Sequence, residues 1–448
     1  MSETKRKSWK ALIGTGALAL TLAGCSSLSS LNPFGGDDEF LEGDRQPLYQ
    51  GALKPSATGG DAKIGAATGG STWPTAAGPK SNDPGNIAIN VSGGVAWSSS
   101  IGQVRSPGFF GIGSSNPRTA ARPVSDGQRI YVYKSDGNLV ALTTGGAKVF
   151  TKNLGLEGEN EVAAGGGVVL DGGKIFVATA YRNVYALDKG GNVLWTKQLE
   201  TPVRGAPAAA NGKVVVVTQD NEVIGLNQSD GEQAWSFAGI AEQAGLLSSA
   251  NPAISGNTVV VPFSSGEVMA LDINSGEPKW IDTVARSFRT RALSGLTDVS
   301  ASPVIEGNKV IATSVAGRTL GIALKDGERL WEADFGAVHT PVVSGGTVFL
   351  IGLDDKLHAI SSKTGNLIWS AKLPTGESDA KNVNWAGPIL ANGQLIAMSS
   401  NGYLASVNAK TGQASASRKV TSGVFVSPIV AGGRMVVLTS DGAVAALN

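Results

Sequence analysis

Residues 206–235 read APAAANG, KVVVVTQDNEVIGLN and QSDGEQAW in succession, and this stretch decides the fold. A short apolar segment ends in the turn Asn211-Gly212. A β-branched run, Lys213–Val217, follows, then a polar turn and a second run ending Gly225-Leu226-Asn227. After Asp230-Gly231 a fourth segment carries Trp235. Short β-rich runs punctuated by Gly, Asn and Asp spell four antiparallel strands joined by tight turns.

The unit recurs along the chain. Ala-Leu-Asp or a variant of it stands at 141–142, 186–188, 225–227, 270–272, 323–324, 359–360, 406–408 and 446–448, eight times in all. A glycine followed four residues later by an aromatic marks the next strand, at Gly146/Phe150, Gly191/Trp195, Gly231/Trp235, Gly276/Trp280, Gly327/Trp331 and Gly365/Trp369. The seventh copy degenerates to Gly412/Ala416, and the eighth reaches Asn448 without a fourth strand. Gly93/Trp97, in SGGVAWSSS, stands alone ahead of the first copy. An orphan strand in front and a missing strand behind predict circular closure, with residues 94–100 completing the last blade. Residues 86–448 shared among eight units give about 45 each, the period of four-stranded propeller blades.

Seven prolines, Pro123, Pro207, Pro252, Pro303, Pro341, Pro388 and Pro428, each fall four or five residues before the first Gly turn of a unit. Proline donates nothing to a ladder and belongs on an edge, which places these segments innermost, along the central channel. The tryptophans then lie on the outer strands and fill the wedge between diverging blades. The expected fold is all-β: an eight-bladed β-propeller of four-stranded antiparallel blades, closed by an N-terminal strand. A pair of β-sandwiches would not produce this period, and no segment of the domain reads as a helix.

Ahead of the repeats, Lys5, Arg6, Lys7 and Lys10 precede an apolar stretch at 11–23, the layout of a signal peptide and too short to span a bilayer. It closes with Leu22-Ala23-Gly24-Cys25, and Cys25 is the one cysteine in 448 residues. This resembles the lipobox of bacterial lipoproteins, which implies lipidation at Cys25 after removal of residues 1–24. No disulfide is then possible, so the core alone must hold the fold. Ser26 in place of Asp implies sorting to the outer membrane, inner leaflet, facing the periplasm. Residues 25–85, rich in Gly, Ser, Pro, Ala and Asp, read as a lipidated flexible tether. Trp73-Pro74 is the exception within it, a candidate strap onto the domain.

Composition narrows the function. A net charge of +1 leaves no electrostatic footprint for nucleic acid. His339 and His358 stand in separate repeats with no second ligand at metal spacing, so satisfied or solvent-facing histidines are expected. The segment Ile281–Ser300 is the longest insertion between blades and carries Arg286, Arg289 and Arg291 beside Asp298. A long loop on a rigid scaffold is a common place for function, with a solvated charged loop as the plainer reading.

These blades resemble the tryptophan-containing repeats of PQQ-dehydrogenase-like propellers. Together with the lipobox, the length and the orphan Trp97 strand, they resemble the BamB family, lipoprotein subunits of the outer-membrane β-barrel assembly machinery. The resemblance covers residues 86–448; the long tether departs from it. It implies a non-enzymatic scaffold, monomeric within a hetero-complex. Its implied partners are the POTRA domains of BamA, other subunits of the complex, and unfolded outer-membrane proteins as further candidates. It also implies partner contacts in two loops. In Thr201–Gly205, Val203 and Arg204 match the family's apolar-then-arginine pattern, and Thr201 departs from it. In Leu296–Ser300, Asp298 matches the first of two aspartates, and Ser300 replaces the second. Two other classes stay open: a PQQ- and Ca²⁺-dependent dehydrogenase, and a small-ligand-binding propeller that uses its channel. The dehydrogenase would need a Ca²⁺ cluster and, often, adjacent cysteines that the sequence lacks, so no cofactor is expected.

Overall fold

The valines of Lys213–Val217 point alternately into two different cores. Val214 and Val216 pack with Phe176, Ala178 and Val184 of the preceding blade. Val215 and Val217 pack with Ile254, Val259 and Met269 of the following one. Both faces of the sheet are buried, which is why its strands read as unbroken apolar runs rather than an alternation. The computed structural model describes residues 57, 59–102, 121–155, 165–240, 250–284, 299–376 and 383–448. They form eight four-stranded antiparallel sheets, with apolar clusters between successive blades. The third blade has strands Ala208–Ala210, Lys213–Val217, Glu222–Asn227 and Gln233–Ala238, in that order from the axis outward.

Closure occurs as expected. Val95–Ser100 is the outer strand of the eighth blade, beside Ala443–Leu447, Arg434–Leu438 and Ile429–Ala431. Trp97 faces Ala446, and the Gly93 N–H donates to the Asn448 carbonyl at 2.7 Å.

The register explains the recurring motifs. Each outer-strand aromatic lies opposite the small residue that opens the Ala-Leu-Asp triplet: Trp195 on Ala186, Trp280 on Ala270, Trp369 on Ala359. Where Gly225 faces Trp235, a Cβ would run into the indole ring. The ring also covers the glycine turn of the next blade. Gly276 adopts φ +76°, and a Cβ on it would stand 2.7 Å from Trp235. The indole N–H then crosses the wedge to a backbone carbonyl: Trp195 to Gln228 (3.1 Å), Trp235 to Ile273 (2.9 Å), Trp280 to Leu324 (2.8 Å). Glycine and aromatic are thus two halves of one inter-blade joint. The seventh blade has no aromatic on its outer strand, which is only Arg418–Lys419. There the Arg418 guanidinium packs on Gly93 in the aromatic's place.

Part of the expected tether is corrected by the structure. Residues 59–90 belong to the same compact unit as the blades and lie as a strap along the innermost strands. Trp73 exchanges two 2.8 Å backbone hydrogen bonds with Ser125 of blade one. Pro74, Lys80 and Ser81 offer their carbonyls to Leu170, Ile254 and Ile305 of blades two, four and five. The Ile87 N–H donates to the Leu390 carbonyl of blade seven. Trp73, Ala76, Ala77, Ile87 and Ile89 are buried. The physical reason is that the inner edges of the blades carry unpaired backbone groups, and a strap can satisfy them through its own main chain. Small residues suit the narrow channel, so an Ala/Gly/Pro-rich segment packs despite its low hydrophobicity. Residues 1–56, including Cys25, lie outside the described residues.

One strap residue makes stability pH-dependent. Burial pushes the Asp83 carboxyl up to about 7; Glu306 adds to this, and the Gly85 N–H opposes it. An unfolded Asp titrates near 3.9, so between about pH 4 and 7 the folded chain holds a proton that the unfolded chain has released. Stability therefore falls as pH rises through that window. Asp83→Asn is expected to flatten this slope and to stabilise the protein at pH 8 by on the order of 1–3 kcal/mol, with little effect at pH 4. Urea denaturation at the two pH values checks it; equal slopes in parent and variant would reject it.

Candidate functional site

Two features share one face of the propeller: the crossover that carries Val203 and Arg204, and the polar mouth of the central channel. Each innermost strand begins just after its crossover, so the residues that precede the strand prolines surround the axis. Two of the hydrogen bonds here, Arg122–Thr340 and His339–Ser427, join blades that are not neighbours, which in an eight-membered ring happens only across the channel. The Arg122 guanidinium of blade one donates to the Thr340 hydroxyl of blade six at 3.2 Å. The Ser302 N–H of blade five donates to the same hydroxyl at 3.2 Å. The Ser302 hydroxyl donates to Asn251 of blade four at 2.9 Å. His339 lies 3.4 Å from the Ser427 hydroxyl of blade eight.

The strap runs along the inner strands and meets this layer at Asn82, which bonds to blades four and five. Asn82 is fully buried with φ +58°. Its amide donates to the Pro303 carbonyl at 3.0 Å, and its oxygen accepts from Asn251 at 2.8 Å and from the Thr75 hydroxyl at 3.2 Å. Asparagine tolerates this left-handed backbone better than most residues. The layer is electrostatically one-sided. Burial lowers the Arg122 pKa to about 10, and no carboxylate among the described residues pairs with it. Burial and the Arg122 charge push His339 down to about 4, so it is neutral at pH 7.

The crossover departs from expectation. Val203 has no exposed surface; it packs with Val169, Phe176 and Leu199 and bridges Thr218. Ala337 and Val424 make the same bridge to Gly352 and Thr439 in other blades. Val203 is therefore a repeat-derived core residue, and the expectation that it lays apolar area on an interface is corrected. The chain must cross the sandwich edge to reach the next inner strand, and it buries the apolar residue at that crossing. Arg204 is 6% exposed, and its backbone N–H donates to Val217 at 2.9 Å. Asp298, with Arg286, Arg289 and Arg291, lies outside the described residues; Val299 and Ser300 beside it are buried. His358, which proves to share the sixth blade with His339, is held by Ser370 (2.7 Å) and Asp354 (2.8 Å) and packs at a tilt against Phe335. Sequence reasoning missed Asn82 and Arg122. The signal for Arg122 was its place before Pro123; for Asn82 none exists in the sequence.

Comparisons with known proteins follow the same lines. The sequence profile of the family described as "Outer membrane protein assembly factor BamB" matches residues 144–371 and 353–448. The protein of that description from Yersinia pestis is 27% identical over 221 residues, covering 49% of this chain and 55% of the relative. The one from Salmonella typhimurium is 26% identical over 263 residues, covering 50% and 66%. The chain thus spans between 55% and 66% of the length of these relatives. Among solved structures, BamB from Moraxella catarrhalis superposes with a TM-score of 0.65 at 18% identity, covering 78% of this chain and 99% of that one. Quinohemoprotein alcohol dehydrogenase from Comamonas testosteroni superposes with 0.64 at 14% identity, covering 84% and 80%. At such identities these likenesses speak for the fold.

Proposed function

The chain belongs to the BamB family of outer membrane protein assembly factors, and we propose that it is a lipid-anchored, non-enzymatic scaffold of the β-barrel assembly machinery, docking on the POTRA domains of BamA. The family match over residues 144–448 carries this reading. The donor groups along the inner strands support it. A quinone–calcium centre needs clustered carboxylate and amide oxygens. Among the described residues no three His, Cys, Asp or Glu side chains stand close enough to hold a metal, and at the inner strands of blades four and five the neutral amide of Asn82 bonds to that of Asn251 and to the Pro303 carbonyl. The described residues do not fit that group. What the fold offers instead is surface. The outer strands of blades eight, one and two are sheet edges that expose Val95, Val149, Val193 and Leu194, a composition suited to strand addition by a protein client.

Within this proposal Arg204 and Asp298 contact the partner, and Val203 supports them by fixing the crossover. Arg204 is nearly enclosed in the free chain, so docking includes turning its guanidinium outward. Cys25 carries the lipid that holds the assembly at the inner leaflet of the outer membrane.

The test is co-purification from membranes with mass-spectrometric identification of stoichiometric partners. BamA is expected in the eluate; its absence would overturn the proposal. Cys25→Ser is expected to move the protein from the membrane pellet to the soluble or unprocessed fraction. The Arg204→Ala, Asp298→Ala double variant is expected to weaken POTRA binding by about 2–5 kcal/mol if the charges are desolvated there. Unchanged affinity would remove these two residues from the interface while leaving the scaffold reading intact.

A further inference from the structure

Among the described residues Arg122 is a buried cation with no anion beside it. The residue is 6% exposed, and among those residues its hydrogen-bond partner is the Thr340 hydroxyl. A guanidinium has five N–H donors in a planar fork, and a charge withdrawn from water without a counter-charge is costly. The groups around it, Asn251, Ser302, His339, Thr340 and Ser427, are neutral and polar, and they converge from blades four, five, six and eight. Asn82 of the strap bonds to Asn251 of this layer and to the Pro303 carbonyl. Among the described residues of the layer Arg122 is the one positive charge, set among hydroxyls and amides on the face that bears the 199–207 crossover.

We propose that this mouth is an anion site in which Arg122 receives a carboxylate, held bidentate by the guanidinium and flanked by the hydroxyl layer. The fork geometry matches a carboxylate's two oxygens. One positive charge balances a monoanion; a phosphate dianion would keep a net negative charge, since His339 is neutral at pH 7. The carboxylate can arrive on an acidic side chain inserted by a docking peptide or as a free small monocarboxylate. This site is independent of whether BamA is the partner.

The experiment uses the purified full chain in low-chloride buffer without carboxylates at pH 7.5. One arm titrates sodium acetate. The other titrates an end-capped peptide with one central Glu, against the same peptide with Gln. Binding is read by calorimetry and by the rise in Tm. A saturable response to the Glu peptide, absent for the Gln peptide, assigns an inserted side chain; saturation by acetate at comparable concentration assigns a free monocarboxylate. Arg122→Met is expected to lower either affinity at least tenfold and to leave the ligand-free Tm unchanged or higher, because it replaces an unpaired buried charge with an apolar chain. Arg122→Lys is expected to keep weaker binding. No saturable response in either arm, or equal binding by Arg122→Met, would overturn the proposal. So would an Arg122→Met chain that fails to fold or melts far below the parent, since that would make the guanidinium a structural group.

Discussion

Replacing residues 94–100 by a Gly/Ser segment of equal length is expected to cost the propeller most of its stability. The strand supplies the fourth member of the eighth blade, pairing from Val95↔Leu447 to Ser100↔Ala443. Its loss would leave the backbone of Ala443–Leu447 as an exposed edge and remove Trp97, whose indole N–H donates to the Thr144 carbonyl of blade one at 3.0 Å. Trp97 also covers Gly146, so the joint between the last and first blades would open. Removing a large aromatic from a core costs about 3–5 kcal/mol, and a domain's net stability is about 5–15 kcal/mol. The lost ladder adds to this. A fall in Tm of about 10 °C or more is expected, with a broadened transition as blades fray from the open seam. Trp97→Ala alone should show a smaller effect, since its ring is partly exposed. Calorimetry checks both. A replacement that melts like the parent would show that the ring is held at another seam.

The second large effect is expected at Asn82. Asn82→Ala removes an amide that satisfies Asn251, Thr75 and the Pro303 carbonyl in a site closed to water. Each buried polar group left unpaired costs about 1–3 kcal/mol. Alanine also pays about 1–2 kcal/mol for the positive φ that asparagine accepts more readily. Asn251 and Thr75 keep the Pro252 and Gly78 carbonyls as acceptors, so one group is left unpaired, and the sum, about 2–5 kcal/mol, exceeds what the strap's main-chain hydrogen bonds contribute individually. The strap should release before the blades unfold. The amides of Ile254 and Ile305, which donate to the Lys80 and Ser81 carbonyls, should lose hydrogen-exchange protection, and residues 60–90 should become cleavable under native conditions. Asn82→Gly should recover the backbone part and not the hydrogen bonds. Unchanged protection at Ile254 and Ile305 in Asn82→Ala would show that the strap is held elsewhere, with Trp73 the first alternative.

The blades were legible in the sequence because each is a local object. Four strands joined by tight turns need only neighbouring residues, and the glycine, the aromatic and the small residue of Ala-Leu-Asp recur because every inter-blade joint poses the same steric problem. Closure was legible for the same reason: Trp97 has the form of the fourth strand that the eighth unit lacks. Of the strap only Trp73-Pro74 was legible, and it does lie on the domain. The rest binds by main-chain groups, which leave no side-chain pattern, and its fit depends on a channel that exists only after eight blades have closed. Val203 was misjudged on the same grounds, since an apolar residue beside an arginine looks alike on a surface and at a crossing between blades. Arg122 shows the boundary most plainly. Its place before a strand proline was visible, but that it stands buried across the axis from Thr340, with no carboxylate of the described residues paired with it, follows from the ring that brings blades one and six within hydrogen-bond reach.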